Sequence, residues 1–288
     1  MIKNKSSQYQ CDFCNCSAYR NRTDIKERFQ IPGNKYGIFE CINCHLISVF
    51  PQPTYEENIQ IYKSYDTKKN RLEVELTRQE EIYPMKLNEI IRYARGHRLL
   101  DIGAGLGTFA HMAEQLDFDV TGIELSQEQS KRAKELYGIN LINMDIFECY
   151  RELGKFDVIH MHHVLEHLLS PSRLFSILGN LVNSNGILVI EVPYQLQRIQ
   201  DPLYHLARRE NTSKWYGDHL YFFSPKTLKN YIELSGFHVI KFGQHRIQKS
   251  KDRTNNDYGY YLRVLFHKIT THLQIPSGDF IEFYAARI

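Results

Sequence analysis

Leu99-Leu100-Asp101-Ile102-Gly103-Ala104-Gly105-Leu106-Gly107-Thr108-Phe109 is the stretch on which the fold turns. An apolar strand runs into an acid and then into three glycines at alternate positions. Glycine belongs where the backbone must turn tightly and pass close to another group, because no Cβ stands in the way. The apolar run over 108–116 is helix-compatible, so its first amides face whatever lies over the loop. The spacing, Asp-x-Gly-x-Gly-x-Gly, differs from the G-x-G-x-x-G of dinucleotide sites.

Further strands follow with acids at their tips. Asp119-Val120-Thr121-Gly122-Ile123 ends in Glu124, twenty-one residues after Gly103, where a carboxylate suits both hydroxyls of a ribose. Leu141-Ile142-Asn143-Met144 predicts a third strand ending in Asp145. Phe156-Asp157-Val158-Ile159-His160-Met161 predicts a fourth, leading to Val164-Leu165-Glu166-His167 and Pro171, and 186–193 a fifth. Ser224-Pro225 opens a helix by N-cap and first-turn chemistry, and Gly236 closes it. Strands over 237–242 and 280–287 complete the pattern.

The amino-terminal segment carries a separate message. Five of the six cysteines lie in the first 44 residues, as C-x2-C, twenty-six residues, then C-x2-C. Four thiolates at such spacing wrap a tetrahedral zinc, and a segment so poor in apolar residues needs the metal for its stability. A reduced, metal-free set of thiols is the plain alternative. Cys11, Cys14, Cys41 and Cys44 are the expected ligands, with Cys16 able to replace Cys14; short strands are expected near Tyr19, over 37–41 and over 46–50.

Taken together, these motifs resemble class I S-adenosylmethionine-dependent methyltransferases. The glycine loop is similar to their motif I. One branch of the family shares the cysteine ribbon, the Pro51-x-Pro53 exit and the Tyr62/Tyr65 pair. It also shares the F-D-V-I…V-L-E-H…P segment and the block from His219 to Leu228. Its members are frequent in bacterial pathways for surface polysaccharides and modified sugars, and 97–242 is also similar to ubiquinone-pathway O-methyltransferases. The resemblance implies an α/β, Rossmann-like fold with a mostly parallel seven-stranded sheet and helices on both faces. The ribbon would occupy 1–53, a helical linker or cap broken by Pro84 would occupy 54–96, and the methyltransferase domain 97–288, with 248–276 inserted before the last strand. The cofactor would be S-adenosylmethionine, its methionine part held by Asp101, Gly103, Gly105 and Gly107, its ribose by Glu124 and its adenine by Asp145. Ala104, Leu125, Ile146 and His160 would be further cofactor contacts.

The histidines after the fourth strand bear on the chemistry. On a helix, His163, Glu166 and His167 would share a face. With His219 they resemble the Glu-x-x-Glu-His set and later His of related O-methyltransferases, departing at the first position. Three roles fit Glu166, His167 and His219: support of the loop, general base (His167 or His219), or metal ligation. Tyr62, Tyr65, Tyr194 and Tyr204 fit pocket walls, and Trp215-Tyr216 fits a lid.

Composition sets the bounds. At 288 residues the chain holds one sizeable core plus an appendage, and 42% hydrophobic with 24% charged residues is ordinary for a globular protein. No apolar run reaches the ~18–20 residues of a bilayer span. The polar start, Met1-Ile2-Lys3-Asn4-Lys5, lacks a signal-peptide core, so a cytoplasmic location is expected. A net charge of +3 is too small to argue for nucleic acid and does not exclude it. The expected acceptor is a hydroxyl of a sugar, nucleotide-sugar or glycan. RNA, with the ribbon and the basic stretch around 245–253 as handle, and a quinone or other aromatic hydroxyl are the alternatives.

Overall fold

The computed structural model describes residues 9–28, 35–65, 82–196, 218–245 and 280–288. The expected insertion 248–276, the basic stretch beyond residue 245, Tyr204 and Trp215-Tyr216 lie outside these residues, as do the side chains of Tyr62 and Tyr65.

A first, antiparallel sheet contains β1 (Tyr19–Asn21), β2 (Gly37–Cys41) and β3 (Ile47–Phe50), with helix α1 (Thr23–Arg28) between the first two strands. Helices α2 (Tyr55–Tyr65) and α3 (Tyr83–Tyr93) follow. Pro84 sits in the first turn of α3, where a missing N–H costs nothing, so it opens this helix. The second sheet is built from β4 (Arg98–Ile102), β5 (Asp119–Ile123), β6 (Phe156–His162), β7 (Val182–Pro193), β9 (Phe237–His245) and β10 (Phe280–Arg287). Its order is β5-β4-β6-β7-β10-β9. The first four strands are parallel, and β10 is antiparallel to both neighbours.

Period-two alternation along the strands makes two cores, one on each face. Leu99, Val158, Ile187 and Val189 pack with α3 residues Leu87 and Ile90 and with Phe109. Leu100, Ile159, Leu188 and Ile190 pack on the other face with Leu174, Leu178 and Tyr231. These last belong to α7 (Pro171–Leu181) and α8 (Pro225–Leu234), the latter started by the expected Ser224 cap, here a full capping box with Thr227.

Two expectations are corrected. Among the described residues the main sheet has six strands, because 141–144 makes only a single bridge, Ile123 with Ile142. Asn143 turns its amide onto the Glu124 and Leu125 carbonyls, and Asp145 already caps α6 (Ile146–Cys149), so the segment is spent on turns. Nor is there a helix over 163–167. Leu165–His167 is a 3-10 turn, and His163 precedes it at φ 57°, in the left-handed region.

Strand β8 (Tyr221–Phe222), far along the chain, pairs antiparallel with β3 and completes the cysteine-bearing sheet in the order β1-β2-β3-β8. Tyr9, Cys11, Cys41 and Leu46 lie in the same core cluster as the α7 and α8 residues.

Candidate active site

A cavity of about 490 Å³ opens at the carboxyl ends of the parallel strands, a volume suited to a cofactor and part of an acceptor. One end is made by the glycine loop. Gly103, Gly105 and Gly107 all have positive φ, at 75°, 59° and 74°. A Cβ on Gly103 would come within 2.5 Å of Val164 Cγ2, so the loop passes the turn after β6 too closely for any side chain. Gly107 does not line the cavity; it caps helix α4 (Thr108–Glu114), and its Cα lies against Ala133, which a Cβ would meet at 3.0 Å. Ala104, Leu125 and Ile146 line the wall with Gly103 and Gly105.

Asp101 and His160 are in-register neighbours on β4 and β6, both buried, and the His160 Nδ1–H donates to Asp101 Oδ1 at 2.7 Å. Burial pushes the His160 imidazole down in spite of Asp101, so the ring is neutral, and it stacks on Phe109 at 3.7 Å. Glu124 is likewise buried; Oε2 accepts from the Gly105 amide and Oε1 from the Ser126 amide, each at 2.8 Å. These bonds fix the carboxylate at the strand tip. Asp145 caps α6 through Oδ1, and the Tyr55 hydroxyl donates to Oδ2 at 3.4 Å.

The other end is a cluster of imidazoles and carboxylates. His162, His163, His167, Asp218 and His219 line it with Tyr83 and Asn58. Glu166 lies fully buried beneath them: Oε1 is 3.2 Å from His163 Nδ1 and 3.7 Å from His167 Nε2. Burial works against its ionisation, but His167, His163 and His219 hold it down at about 2. The left-handed backbone of His163 thus achieves the convergence that a helix was expected to supply. Gln195 Oε1 is 3.0 Å from His219 Nδ1.

Asp218 escaped the sequence reading. Burial pushes its carboxyl up to about 6, and Oδ2 stands 3.8 Å from both His167 Nδ1 and His219 Nε2. Its backbone carbonyl is 2.9 Å from His167 Nδ1. A carbonyl only accepts, so Nδ1 carries a proton, and in the neutral imidazole the lone pair is on Nε2. The signal available beforehand was adjacency alone: an acid directly before the expected His219.

Below this end lies a second group that sequence reasoning missed. The Lys86 ammonium, wholly buried, is 3.1 Å from Glu191 Oε2, 2.9 Å from Glu282 Oε1 and 3.0 Å from His162 Nδ1. Burial lowers its affinity for a proton, but Glu191 and Glu282 outweigh that and raise it. Glu191 Oε1 in turn approaches His162 at 3.2 Å and His163 at 3.4 Å. The imidazoles therefore stand on an ionic base drawn from helix α3 and strands β7 and β10.

Away from the cavity, the Cys11, Cys14, Cys41 and Cys44 sulfurs lie within 4.8 Å of one another. Cys16 points elsewhere, its thiol toward the Ala18 carbonyl at 3.7 Å. The two knuckles are alike: Asn15 N–H bonds the Cys11 carbonyl and His45 N–H that of Cys41, and both Asn15 and His45 have positive φ. Tetrahedral Zn–S bonds of about 2.3 Å put sulfurs about 3.8 Å apart. The observed 3.5 Å Cys11–Cys44 and Cys14–Cys41 separations fit that donor set.

Residues 69–241 match the model of a methyltransferase domain. Among curated relatives, a ubiquinone biosynthesis O-methyltransferase of Glaesserella parasuis is 30% identical over 105 residues, 33% of this chain and 44% of that protein. One of Burkholderia vietnamiensis is 28% identical over 176 residues, 56% of this chain and 74% of that protein. The chain thus spans less than half the length of the first relative. Among solved structures, a SAM-dependent methyltransferase of Archaeoglobus fulgidus shares the fold at 23% identity and TM-score 0.51, over 76% of this chain and all of that one. A SAM-dependent methyltransferase of Thermotoga maritima, a possible histamine N-methyltransferase, does so at 16% identity and TM-score 0.54, over 79% of this chain and all of that one. With strand order, glycine loop and family match in agreement, the chain belongs to the methyltransferase domain family and has the fold of a class I S-adenosylmethionine-dependent methyltransferase.

Proposed function

We propose that this enzyme moves a methyl group from S-adenosylmethionine to a hydroxyl of a sugar, nucleotide-sugar or glycan. The carrying observation is His167: its Nδ1 is committed to the Asp218 carbonyl and its Nε2 lies 3.7 Å from the ionised Glu166. Such an imidazole accepts a proton at Nε2, and Glu166 supplies the counter-charge for the imidazolium that results. When bound, S-adenosylmethionine supplies an activated methyl on its sulfonium. Asp101, Gly103 and Gly105 hold the methionine end, Glu124 the ribose and Asp145 the adenine, with Ala104, Leu125, Ile146 and His160 completing the wall. Gly107 serves by holding α4 in place. Most of the acceleration comes from alignment of acceptor oxygen and methyl carbon, with proton removal by His167 added to it. His219, 4.8 Å from His167 ring to ring, orients the acceptor. An aromatic hydroxyl is the second reading, favoured by the names of the curated relatives.

The test is transfer of labelled methyl from S-adenosylmethionine to a lysate of the source cell, divided by ribonuclease sensitivity. Label in a ribonuclease-resistant glycan or nucleotide-sugar fraction is expected, and its loss in the His167→Ala variant. Label in the lipid fraction would move the acceptor to a quinone, and label lost to ribonuclease would move it to RNA.

The four cysteines are the proposed ligands of a closed, structural zinc. About one zinc per chain is expected in protein purified without chelator, falling to near zero on Cys41→Ser with loss of thermal stability. Metal-free protein of unchanged melting temperature would remove zinc from the account.

A further inference from the structure

Helix α7 starts without a cap of its own: its N-cap residue, Ser170, makes no side-chain bond to the helix amides. The cap comes from the cysteine ribbon. Asp12, between Cys11 and Cys14, accepts from the Ser172 amide through Oδ2 at 2.8 Å, and a carboxylate there also suits the positive end of the helix dipole. The same carboxylate accepts from Ser170 Oγ at 2.6 Å, Ser172 Oγ at 3.0 Å and the Tyr231 hydroxyl at 2.9 Å. Beside it the Phe13 ring packs against that of Tyr231, centroids 4.3 Å apart and tilted by 39°. Asp12 therefore clamps the chain three residues after His167.

A second tie reaches the same place from the other side. Leu220 lies between His219 and β8, and its carbonyl accepts from the Val49 amide of β3 at 2.8 Å. Its own amide donates to the Glu166 carbonyl at 2.6 Å. Tyr221, paired with Ser48, donates its hydroxyl to the Leu169 carbonyl at 3.0 Å. The two segments that carry Glu166, His167, Asp218 and His219 are thus each bonded to the ribbon and to one another. No comparable bond joins the ribbon to the glycine loop among the described residues.

We propose that the cysteine ribbon is a positioning wall of the acceptor end: Asp12 and strand β3 set where His167 and His219 stand, and the knuckle that presents Asp12 links the state of the four cysteines to that geometry. Asp12 does not line the cavity and acts through Ser170, Ser172 and Tyr231. The inference rests on the acceptor-site reading only for its consequence, since imidazole positions are measured without any acceptor.

The experiment compares full-length parent and Asp12→Ala protein by imidazole NMR, with S-adenosylhomocysteine binding by calorimetry alongside. Expected are displaced His167 and His219 resonances, titration midpoints moved by about half a unit or more, and S-adenosylhomocysteine affinity within about threefold of the parent. Removal of metal from the parent with a chelator should move the same resonances. Folded Asp12→Ala protein whose His167 and His219 resonances and midpoints match the parent would overturn the proposal, however far its melting temperature falls. If Asp12→Ala does not fold, Ser172→Ala, which removes one of the four bonds, is read in the same way. Failure of the acceptor reading itself looks different: methyl transfer would survive His167→Ala.

Discussion

Lys86→Met is expected to lower the unfolding free energy at pH 7 by about 3–5 kcal/mol, the usual consequence of removing one partner from a buried ionic group. Two carboxylates, Glu191 and Glu282, would stay behind with 0% and 2% side-chain exposure and no ammonium between them. A domain has only about 5–15 kcal/mol in total, so the variant would be marginal. The loss should depend on pH with a definite sign. Without Lys86, burial and mutual repulsion raise the folded-state pKa of at least one carboxyl above its unfolded value near 4.3. An acid raised in this way weakens the fold as pH climbs through that range and ceases to do so below it. The deficit should therefore be largest at pH 7–8 and shrink towards pH 5. Urea unfolding at both pH values measures it. A deficit equal at both ends, or one not reduced by adding Glu191→Gln and Glu282→Gln, would show that Lys86 acts by packing alone. The same change should disturb His162 and His163, because Glu191 is their shared contact.

Glu124→Ala should weaken S-adenosylhomocysteine binding by two to four orders of magnitude. Hydrogen bonds to a charged group contribute about 1.5–3 kcal/mol each, and two ribose hydroxyls are at stake. A further loss comes from the protein side. The carboxylate that vanishes is also the acceptor for the Gly105 and Ser126 amides, so the loop and the start of α5 (Gln127–Tyr137) lose their common anchor. Glu124→Gln keeps one acceptor oxygen and should fall between parent and alanine variant. Calorimetry of the folded variants decides the matter, and affinity within threefold of the parent would remove Glu124 from the cofactor site.

The parallel sheet was legible because its signals are local. Leu99 to Phe109 states strand, turn and helix start within eleven residues, and the next strand, 119–123, announces itself by an apolar run and a terminal acid. The cysteine spacing likewise reads without help, and the structure brings Cys14 rather than Cys16 to the cluster. What stayed hidden depends on partners distant in sequence. Lys86 reads as one more exposed cation of an amphipathic helix; only the pairing of β7 with β10 places Glu191 opposite Glu282 and makes room for an ammonium. Asp218 and Asp12 carry no spacing motif, and their roles exist only once 166–172 folds back on both. His163 was seen, but its left-handed backbone is a tertiary choice that helix periodicity hides. The third strand failed for a local reason: Asn143 and Asp145 compete with the ladder for their own backbone neighbours.

Strand β8 also sets an order of events during synthesis. Ser48 pairs with Tyr221, so most of the chain must leave the ribosome before the first sheet has its last strand. Until then β3 presents an open edge, the kind of surface on which unfinished chains associate with one another. The same long span raises the mean sequence separation of native contacts and slows the closing step of folding. A sheet whose first three strands lie before residue 51 is therefore completed only once residues 221–222 are made.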